Sequence, residues 1–232
     1  AYELNKTKKN LQTFSISFDD LEYDESERQK LLVDSLSLNH FEYKINDKEI
    51  SDNFIEVSKY IQQPFFRTAP IPMYLLSKKV NEAGHKVVMT GEGADEILFG
   101  YDIFREQQVI DFIKSHPDSR WGFKLFDNLY SYLPQYNNPR YRKLAIDTFM
   151  RDGIYGLLNP LKSRLSNNLR SIQLMKDSEY MAEQIITDLI DEYKSQCEEY
   201  NLDNIDMIQL FEVQNLLSGY LLSSQGDRVS MA

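Results

Sequence analysis

The stretch that decides the fold is residues 86–101, which read KVVMTGEGADEILFGY. It opens with residues 87–89, a short β-branched apolar run of the kind that forms a buried strand. Two glycines, Gly91 and Gly93, then indicate a tight turn, and a helical pattern with acids in its first turn begins at Ala94. A strand, a turn and a helix start in this order predict a loop at the carboxyl end of a strand, where open α/β sheets bind ligands.

Three carboxylates crowd this turn: Glu92, Asp95 and Glu96. The backbone N–H groups of a glycine turn can approach an anion closely, and an anion beside carboxylates needs a cation between them. We therefore predict a magnesium-bridged phosphate site. The alternative is that Asp95 and Glu96 only complement the helix dipole, which contributes about 0.3–1 kcal/mol each. Glu92 favours the site, because it lies between two glycines before any helix exists.

The rest of the sequence divides into an α/β half and a helical half. Strand patterns at residues 11–18 and 40–45 alternate with amphipathic helical patterns, which predicts a parallel sheet with a further strand at 86–90. After Tyr101 the strand patterns stop, and helices are predicted at 103–115, 120–132, 140–150, 178–200 and 205–222. The predicted apolar stripe of helix 178–200 is Met181, Ile185, Leu189 and Tyr193. We assign residues 1–109 to an α/β nucleotide-binding part and residues 110–232 to a helical part of the same domain.

Composition and charge argue against several classes of function. The 232 residues carry a formal net charge of −10, which argues against a nucleic acid as the main partner. The sequence contains no run of about 18 apolar residues, so no membrane-spanning helix is predicted. The histidines are scattered without zinc-binding spacing, and acidic neighbours disfavour a thiolate at the only cysteine, Cys197. A single cysteine fits a cytoplasmic protein.

Several segments together resemble the synthetase domain of glutamine-hydrolysing asparagine synthetase. Residues 13–18 (TFSISF) and 23–26 (YDES) are similar to the family's TFSIGF and YDES segments, and residues 71–77 (IPMYLLS) resemble its IPTYLLS helix start. Residues 90–101 (TGEGADEILFGY) resemble its SGEGADE…GGY signature, and residues 226–232 (GDRVSMA) its DRMSMA segment. The segments follow the family's order and span nearly the whole chain.

The resemblance implies a fold and a reaction. The family's fold is a pyrophosphatase-loop ATP site on a parallel sheet. Its reaction adenylates the aspartate side-chain carboxylate with ATP and Mg2+ and releases pyrophosphate, after which ammonia attacks and gives asparagine and AMP. The implied partners are small molecules, aspartate and ammonia, the latter released from glutamine by a glutaminase domain. A homodimer is an assembly that the family allows.

The resemblance also implies roles for five residues. Ile16 would pack on the adenine, and Thr90 and Gly91 would lie beside the nucleotide. Asp95 would ligate magnesium. Glu92 would act near the reacting carboxylate as the base for the ammonia step. Two further residues match family positions without an assigned role, Tyr101 and Arg228.

The sequence also departs from the family. The family's phosphate loop, SGGLDS, would precede Ala1 and is missing, together with a second magnesium-binding aspartate. A segment that would follow Ala232 and the glutaminase domain are missing as well. We therefore expect an internal fragment that shows no measurable aspartate-dependent pyrophosphate release by itself. At position 90, Thr90 replaces the usual serine and keeps the hydroxyl.

Two alternatives stay open at this point. One is a β-lactam synthetase or a peptide cyclase of the same fold that acts on another carboxylate. In β-lactam-forming relatives the position of Glu92 resembles a tyrosine, so Glu92 favours ammonia transfer. The other alternative is a degenerate, non-catalytic module. That alternative predicts loss of the acidic residues, whereas Glu92, Asp95 and Glu96 are all present.

Overall fold

The computed structural model describes residues 11–19, 24–62, 65, 67–129, 138–149, 158–161, 178–226 and 228–230. The chain forms two compact units. The first consists of Ala1–Gly91 together with Ser218–Ala232, and the second of Glu92–Leu217. The chain therefore passes from the first unit to the second inside the glycine turn.

A two-stranded parallel sheet opens the first unit. Strand β1 (Gln12–Phe18) pairs with β2 (Asn39–Ile45) in a register that sets Gln12 opposite Asn39. Helix α1 (Ser26–Leu36) lies between them in the chain, because two parallel strands need a crossover connection. The two strands predicted at the start of the sequence are therefore confirmed.

Side chains alternate between the two faces of this sheet, as the strand period of two requires. On one face the His40 ring lies 2.9 Å from Thr13 Oγ1 and 3.0 Å from Ser15 Oγ. The Phe14 ring stacks on Phe41, with the ring centroids 5.3 Å apart. The register is thus fixed by a polar cluster and by an aromatic pair.

Two helices provide most of the core of the first unit. Helix α2 (Asp47–Ile61) begins at a capping box, in which the Asn46 side chain accepts the N–H of Glu49. Helix α3 (Pro70–Glu82) has proline at its start, where a missing N–H costs nothing because that N–H would have no helical partner. Their buried cluster also includes a residue from the C-terminal end, and its members are Val57, Ile61, Ile71 and Val229.

Residues 228–230 hold these two helices, and we call them the C-terminal clamp. The Arg228 guanidinium donates to the carbonyl oxygen of Ile61 at 3.2 Å and to Gln62 Oε1 at 3.3 Å, at the end of α2. The Ser77 hydroxyl of α3 donates to the carbonyl oxygen of Ser230 at 3.0 Å. Arg228 therefore binds one backbone carbonyl group, that of Ile61, that the end of the helix leaves without a helical partner.

The described secondary-structure elements of the second unit are all helices, joined by turns and irregular segments. Its helices are α4 (Ala94–Ile97), α5 (Asp102–Ser115), α6 (Gly122–Leu129), α7 (Pro139–Phe149), α8 (Ser178–Tyr200) and α9 (Asn204–Phe211), with a 3₁₀ turn at Asn159–Leu161. A π-helical stretch, Glu212–Gly226, follows α9. The largest buried cluster consists of Phe104, Leu161, Ile186, Ile190 and Ile208. The prediction of a helical second half is confirmed for the described residues.

The predicted third strand at 86–90 is wrong. These residues form no helix or strand, and the side chains of Val87 and Met89 are 84% and 83% exposed. A strand needs a neighbour for its N–H and C=O groups, and the described part of the chain contains a sheet of β1 and β2 alone. The fold is therefore α/β with a two-stranded parallel sheet, and the pyrophosphatase-loop arrangement stays a prediction.

The buried face of α8 keeps Tyr193 of the predicted stripe, but at the two preceding turns it uses Ile186 and Ile190 in place of Ile185 and Leu189. Ile185 is 58% exposed, whereas Ile186, Ile190 and Tyr193 are buried. Residue 181 lies in α8, but the Met181 side chain is not among those that the structure describes. Two adjacent isoleucines fit an apolar period almost equally well. The packing partner decides between them, and Ile186 and Ile190 share the buried cluster described above.

Candidate functional site

Residues 92–101 form the candidate site, and we call them the acidic turn. Gly93 precedes α4 with φ of 87°, a conformation that glycine adopts without steric cost. A Cβ at this position would also lie 3.3 Å from the Leu217 side chain. Backbone conformation and crowding therefore both require glycine here, directly between Glu92 and the start of α4.

A residue with a left-handed backbone conformation lies two positions after the last residue of helix α4. Phe99 has φ of 58°, and the N–H of Gly100 donates to the carbonyl oxygen of Asp95 at 2.8 Å. This is the six-to-one hydrogen bond of a Schellman motif, whose left-handed position is usually glycine. Phenylalanine is strained there because its Cβ is crowded. Its ring packs edge-on against the buried Phe104, with the centroids 5.0 Å apart.

The third carboxylate of the acidic turn, Glu96, is engaged inside the protein. Its side chain is 1% exposed, and the Tyr101 hydroxyl donates to Glu96 Oε1 at 2.7 Å. This hydrogen bond supplies the partner that a buried carboxylate needs. Of the three predicted acids, only Glu92 and Asp95 therefore remain accessible to a ligand. Tyr101, which had no assigned role, supports the turn.

Asp95 lies directly against Gly100. A Cβ at position 100 would collide with the Asp95 carboxylate, so the missing side chain leaves the space that this carboxylate occupies. Asp95 itself is exposed. The sequence pattern did not reveal this purpose of Gly100, which is to leave room for the orientation that the predicted metal ligand adopts.

The Glu92 side chain reaches solvent, but the charged form of its carboxyl group is disfavoured. Partial burial, followed by the negative charges of Glu96 and Asp95, raises the pKa of Glu92 above its ordinary value. Both causes disfavour the charged form of a carboxyl group. A carboxylate whose pKa is raised by its neighbours is suited to accept a proton or to bind a cation.

The predicted nucleotide-binding residues belong to the first unit. Ile16 is half-buried in β1, and Thr90 and Gly91 are exposed residues that directly precede Glu92 in the chain. The structure brings the other two predicted residues, Glu92 and Asp95, together within the acidic turn of the second unit. The chemical roles assigned to these five residues stay predictions.

Sequence reasoning missed Gln209. The side-chain nitrogen of Gln209, on α9, donates to the carbonyl oxygens of Glu96 and Ile97 at 3.0 Å each. Gln209 follows Glu96 by 113 residues, so no local pattern could pair them. The segment 204–211 (NIDMIQLF) does not single Gln209 out, because the segment also contains the polar residues Asn204 and Asp206.

The donor set of the acidic turn is small. Among the described residues, no group of three or more His, Cys, Asp and Glu side chains could hold a metal ion. Glu92 and Asp95 supply hard carboxylate oxygens of the kind that Mg2+ prefers. Mg2+ is commonly bound by one or two carboxylates together with substrate phosphates. The two carboxylates therefore fit a metal that arrives with a nucleotide, and they do not form a complete metal cage.

Two of the predicted exclusions can be compared with the structure. Burial, followed by Asp206 and Asp203, raises the pKa of the Cys197 thiol. This direction agrees with the predicted disfavoured thiolate, but its largest cause is burial, and the acids that contribute come from the start of α9 and not from the adjacent glutamates. Within the described ranges, no helix combines the length and apolar character that crossing a bilayer needs.

Comparison with known proteins gives one family and several relatives. The family model for asparagine synthase matches residues 2–232. Asparagine synthetase (glutamine-hydrolyzing) 1 of Bacillus subtilis is 29% identical over 96 residues, which are 41% of this chain and 15% of that protein. Asparagine synthetase (glutamine-hydrolyzing) 2 of Arabidopsis thaliana is 36% identical over 77 residues, 32% of this chain and 13% of that protein.

A relative with a different name matches a larger share of the chain. Amidase chyE of Penicillium rubens is 29% identical over 120 residues, which are 51% of this chain and 17% of that protein. The chain thus spans 13 to 17% of the length of these three relatives. No solved structure matches it.

Proposed function

The chain belongs to the asparagine synthase family, and we propose that it is part of an ATP-dependent amide-forming synthetase. In the proposed reaction, the aspartate side-chain carboxylate attacks the α-phosphorus of ATP and displaces pyrophosphate. Ammonia then attacks the activated carboxyl carbon, and asparagine and AMP are the products. The observation that supports this proposal is the acidic turn, which exposes Glu92 and Asp95 while Glu96 is engaged by Tyr101.

Asp95 is the proposed magnesium ligand. Its carboxylate is exposed, and Gly100 leaves the space for it. A bound Mg2+ supplies neutralisation of the charge that develops on the leaving pyrophosphate. The positive charge would also offset the repulsion between Asp95 and Glu92, which contributes to the raised pKa of Glu92.

Glu92 is the proposed base for the ammonia step. Nitrogen must lose a proton when ammonia adds to the activated carboxyl carbon, and a carboxylate whose pKa is raised accepts that proton more readily. Ile16, Thr90 and Gly91 are the proposed contacts to the nucleotide. Ammonia would come from glutamine through a separate glutaminase domain, because two relatives are glutamine-hydrolyzing asparagine synthetases by name.

Separating the two chemical steps tests this division of labour in the full-length protein. Asp95→Asn removes a charged ligand, so both MgATP affinity and aspartate-dependent exchange of pyrophosphate into ATP should fall. Glu92→Gln keeps the shape but accepts no proton. Pyrophosphate exchange should then survive, while asparagine formation falls by about 10²–10⁴-fold. Glu199→Gln, at an exposed position of α8, is the control and should change neither step.

Two results would overturn the proposal. Equal losses of both steps in Glu92→Gln and Asp95→Asn would show that the turn acts as one electrostatic unit without separate roles. Full activity of both variants would leave only a contribution to the helix dipole. Single-turnover measurements with added ammonium keep the result independent of the glutaminase domain.

A second candidate differs in the acceptor. The relative named amidase covers 51% of this chain, whereas the two asparagine synthetases cover 41% and 32%. This candidate is an enzyme of the same family that acts on another carboxylate or amide. Exchange of pyrophosphate into ATP that requires a carboxylate other than aspartate would favour it.

A further inference from the structure

The acidic turn contains a helix that is too short to be stable by itself. Helix α4 has four residues, and a single helical turn is unstable in isolation. Its last carbonyl groups have no partner within the helix. Gln209 supplies that partner, because its side-chain nitrogen carries two N–H groups and lies 3.0 Å from the carbonyl oxygens of both Glu96 and Ile97.

The position of Gln209 is itself fixed by α9. The Asp203 side chain caps the start of this helix and accepts two backbone N–H groups at 2.8 and 2.9 Å. Asn204 donates to Asp111 of α5 at 3.0 Å. Ile208, the neighbour of Gln209, is completely buried in the main cluster of the second unit. The hydrogen bonds from Gln209 therefore connect α4 to the packed core.

Two sides of α4 are thus held by different groups. The Tyr101 hydroxyl holds the Glu96 side chain, and Gln209 holds the backbone at Glu96 and Ile97. Among the residues that the structure describes, the side-chain carboxylates of Glu92 and Asp95 accept no hydrogen bond, so the positions of both depend on the backbone of this short segment. A displacement of that backbone would carry both carboxylates with it.

We propose that Gln209 is a positioning residue for the reaction of the acidic turn. It touches neither substrate nor metal and acts by fixing the backbone that carries Glu92 and Asp95. This inference rests on the proposed function. Misplacement of a reacting group by about 1 Å can cost about 10²-fold in rate, so loss of both hydrogen bonds should lower kcat for adenylation by about 10- to 100-fold. The KM for MgATP should rise as well, because the displaced backbone also carries Asp95, the proposed magnesium ligand.

The experiment compares three variants of the full-length protein. Gln209→Met keeps the length of the side chain and removes both donors, and Gln209→Glu turns an acceptor toward the two carbonyl groups. Gln184→Met is the matched control, since Gln184 is exposed on α8 and donates to Asp188 of its own helix at 2.7 Å. Amide hydrogen exchange of residues 94–100 reports the turn directly. Aspartate-dependent pyrophosphate exchange, expressed per titrated active site, reports the chemistry.

We expect faster amide exchange in Gln209→Met, still faster exchange in Gln209→Glu, and no change in Gln184→Met. The kcat per active site should fall in the same order. Faster amide exchange with an unchanged kcat per active site would overturn the proposal, because Gln209 would then serve stability alone. An unchanged exchange rate of residues 94–100 in both Gln209 variants would overturn it as well.

The same design distinguishes failure of this inference from failure of the proposed function. If the wild-type protein shows no exchange of pyrophosphate with any carboxylate while residues 94–100 still loosen in Gln209→Met, the proposed function fails. The structural half of the inference, that Gln209 holds the turn, is supported by that outcome.

Discussion

The acidic turn and the C-terminal clamp both resemble motifs of one family, yet the turn contains energetically unfavourable features and the clamp contains favourable contacts. In the turn, neighbouring carboxylates raise the pKa of Glu92, and Phe99 occupies a left-handed conformation. In the clamp, Arg228 binds the end of α2, and Val229 is 3% exposed in a buried cluster. Unfavourable terms of this kind cluster at functional sites in proteins, and this difference makes the acidic turn, and not the clamp, the candidate site. Similarity to a motif therefore does not by itself separate these two uses.

The largest expected effect tests the structural side of this contrast. Ile61→Ala empties a fully buried position beneath the clamp and should lower the free energy of unfolding by about 2–5 kcal/mol. Ile55→Ala, on the same helix, changes a side chain that is 66% exposed and should stay within about 0.5 kcal/mol. Urea unfolding of both variants measures the difference. Equal losses would mean that the clamp does not cover a packed core.

The next effect concerns the space in which Asp95 lies. Gly100→Ala introduces a Cβ that collides with the Asp95 carboxylate, so we expect a loss of about 1–3 kcal/mol in unfolding free energy and weaker MgATP binding. Gly91→Ala is the control for stability, because a Cβ there would meet nothing within 4 Å. Chemical denaturation compares the pair, and nucleotide titration is applied to Gly100→Ala alone, because Gly91 is a proposed nucleotide contact. Unchanged MgATP binding by Gly100→Ala would separate Asp95 from the metal site.

A smaller effect measures the strain at Phe99. Both Phe99→Ala and Phe99→Gly remove the ring that packs on Phe104, so their difference isolates the backbone. Only glycine relieves the left-handed conformation, and Phe99→Gly should therefore be more stable than Phe99→Ala by about 1 kcal/mol. Denaturant unfolding compares them. An alanine variant at least as stable as the glycine variant would show that position 99 is not strained.

The contrast between local and long-range information also explains what the sequence could predict. The two confirmed strands and the helical half follow from periods of two and 3.6, and these patterns are local. Residues 87–89 have an equally good strand pattern but form none, because a strand depends on a partner that the pattern does not contain. In α8 the choice between Ile185 and Ile186 depended on the packing of the second unit.

The candidate site shows the same division. Glu92 and Asp95 could be selected from the sequence because they flank Gly93 in one short motif. The motif gave Glu96 the same weight, and only its burial against Tyr101 shows that it serves another purpose. The contact with Gln209 crosses 113 residues. Such a pairing is decided by tertiary packing and leaves no trace in the local pattern.

The smallest expected effect is a change in the pH dependence of stability in Glu92→Gln. Folding raises the pKa of Glu92 above its ordinary value of 4.5. Between the unfolded and folded pKa values the folded state binds more protons, so stability falls as the pH rises through that window. The glutamine side chain does not titrate, so the variant lacks this decrease in stability with rising pH. At about pH 7 the variant should therefore be at least as stable as the wild type, although it loses the proposed base.

Glu82→Gln is the control of opposite sign, on α3. Glu82 forms an exposed ion pair with Lys79 at 2.9 Å, and its side-chain hydrogen bond to Lys79 lowers the pKa of Glu82 below 4.5. For a lowered pKa, stability is present above the unfolded pKa and is lost as the pH falls through the folded one. The melting temperature of the wild type minus that of the variant should therefore decrease with rising pH for Glu92 and increase for Glu82. A difference that also increases with rising pH for Glu92 would mean that neither burial nor the neighbouring carboxylates raise its pKa in the folded protein. The acidic turn would then lose the unfavourable electrostatics that set it apart from the clamp.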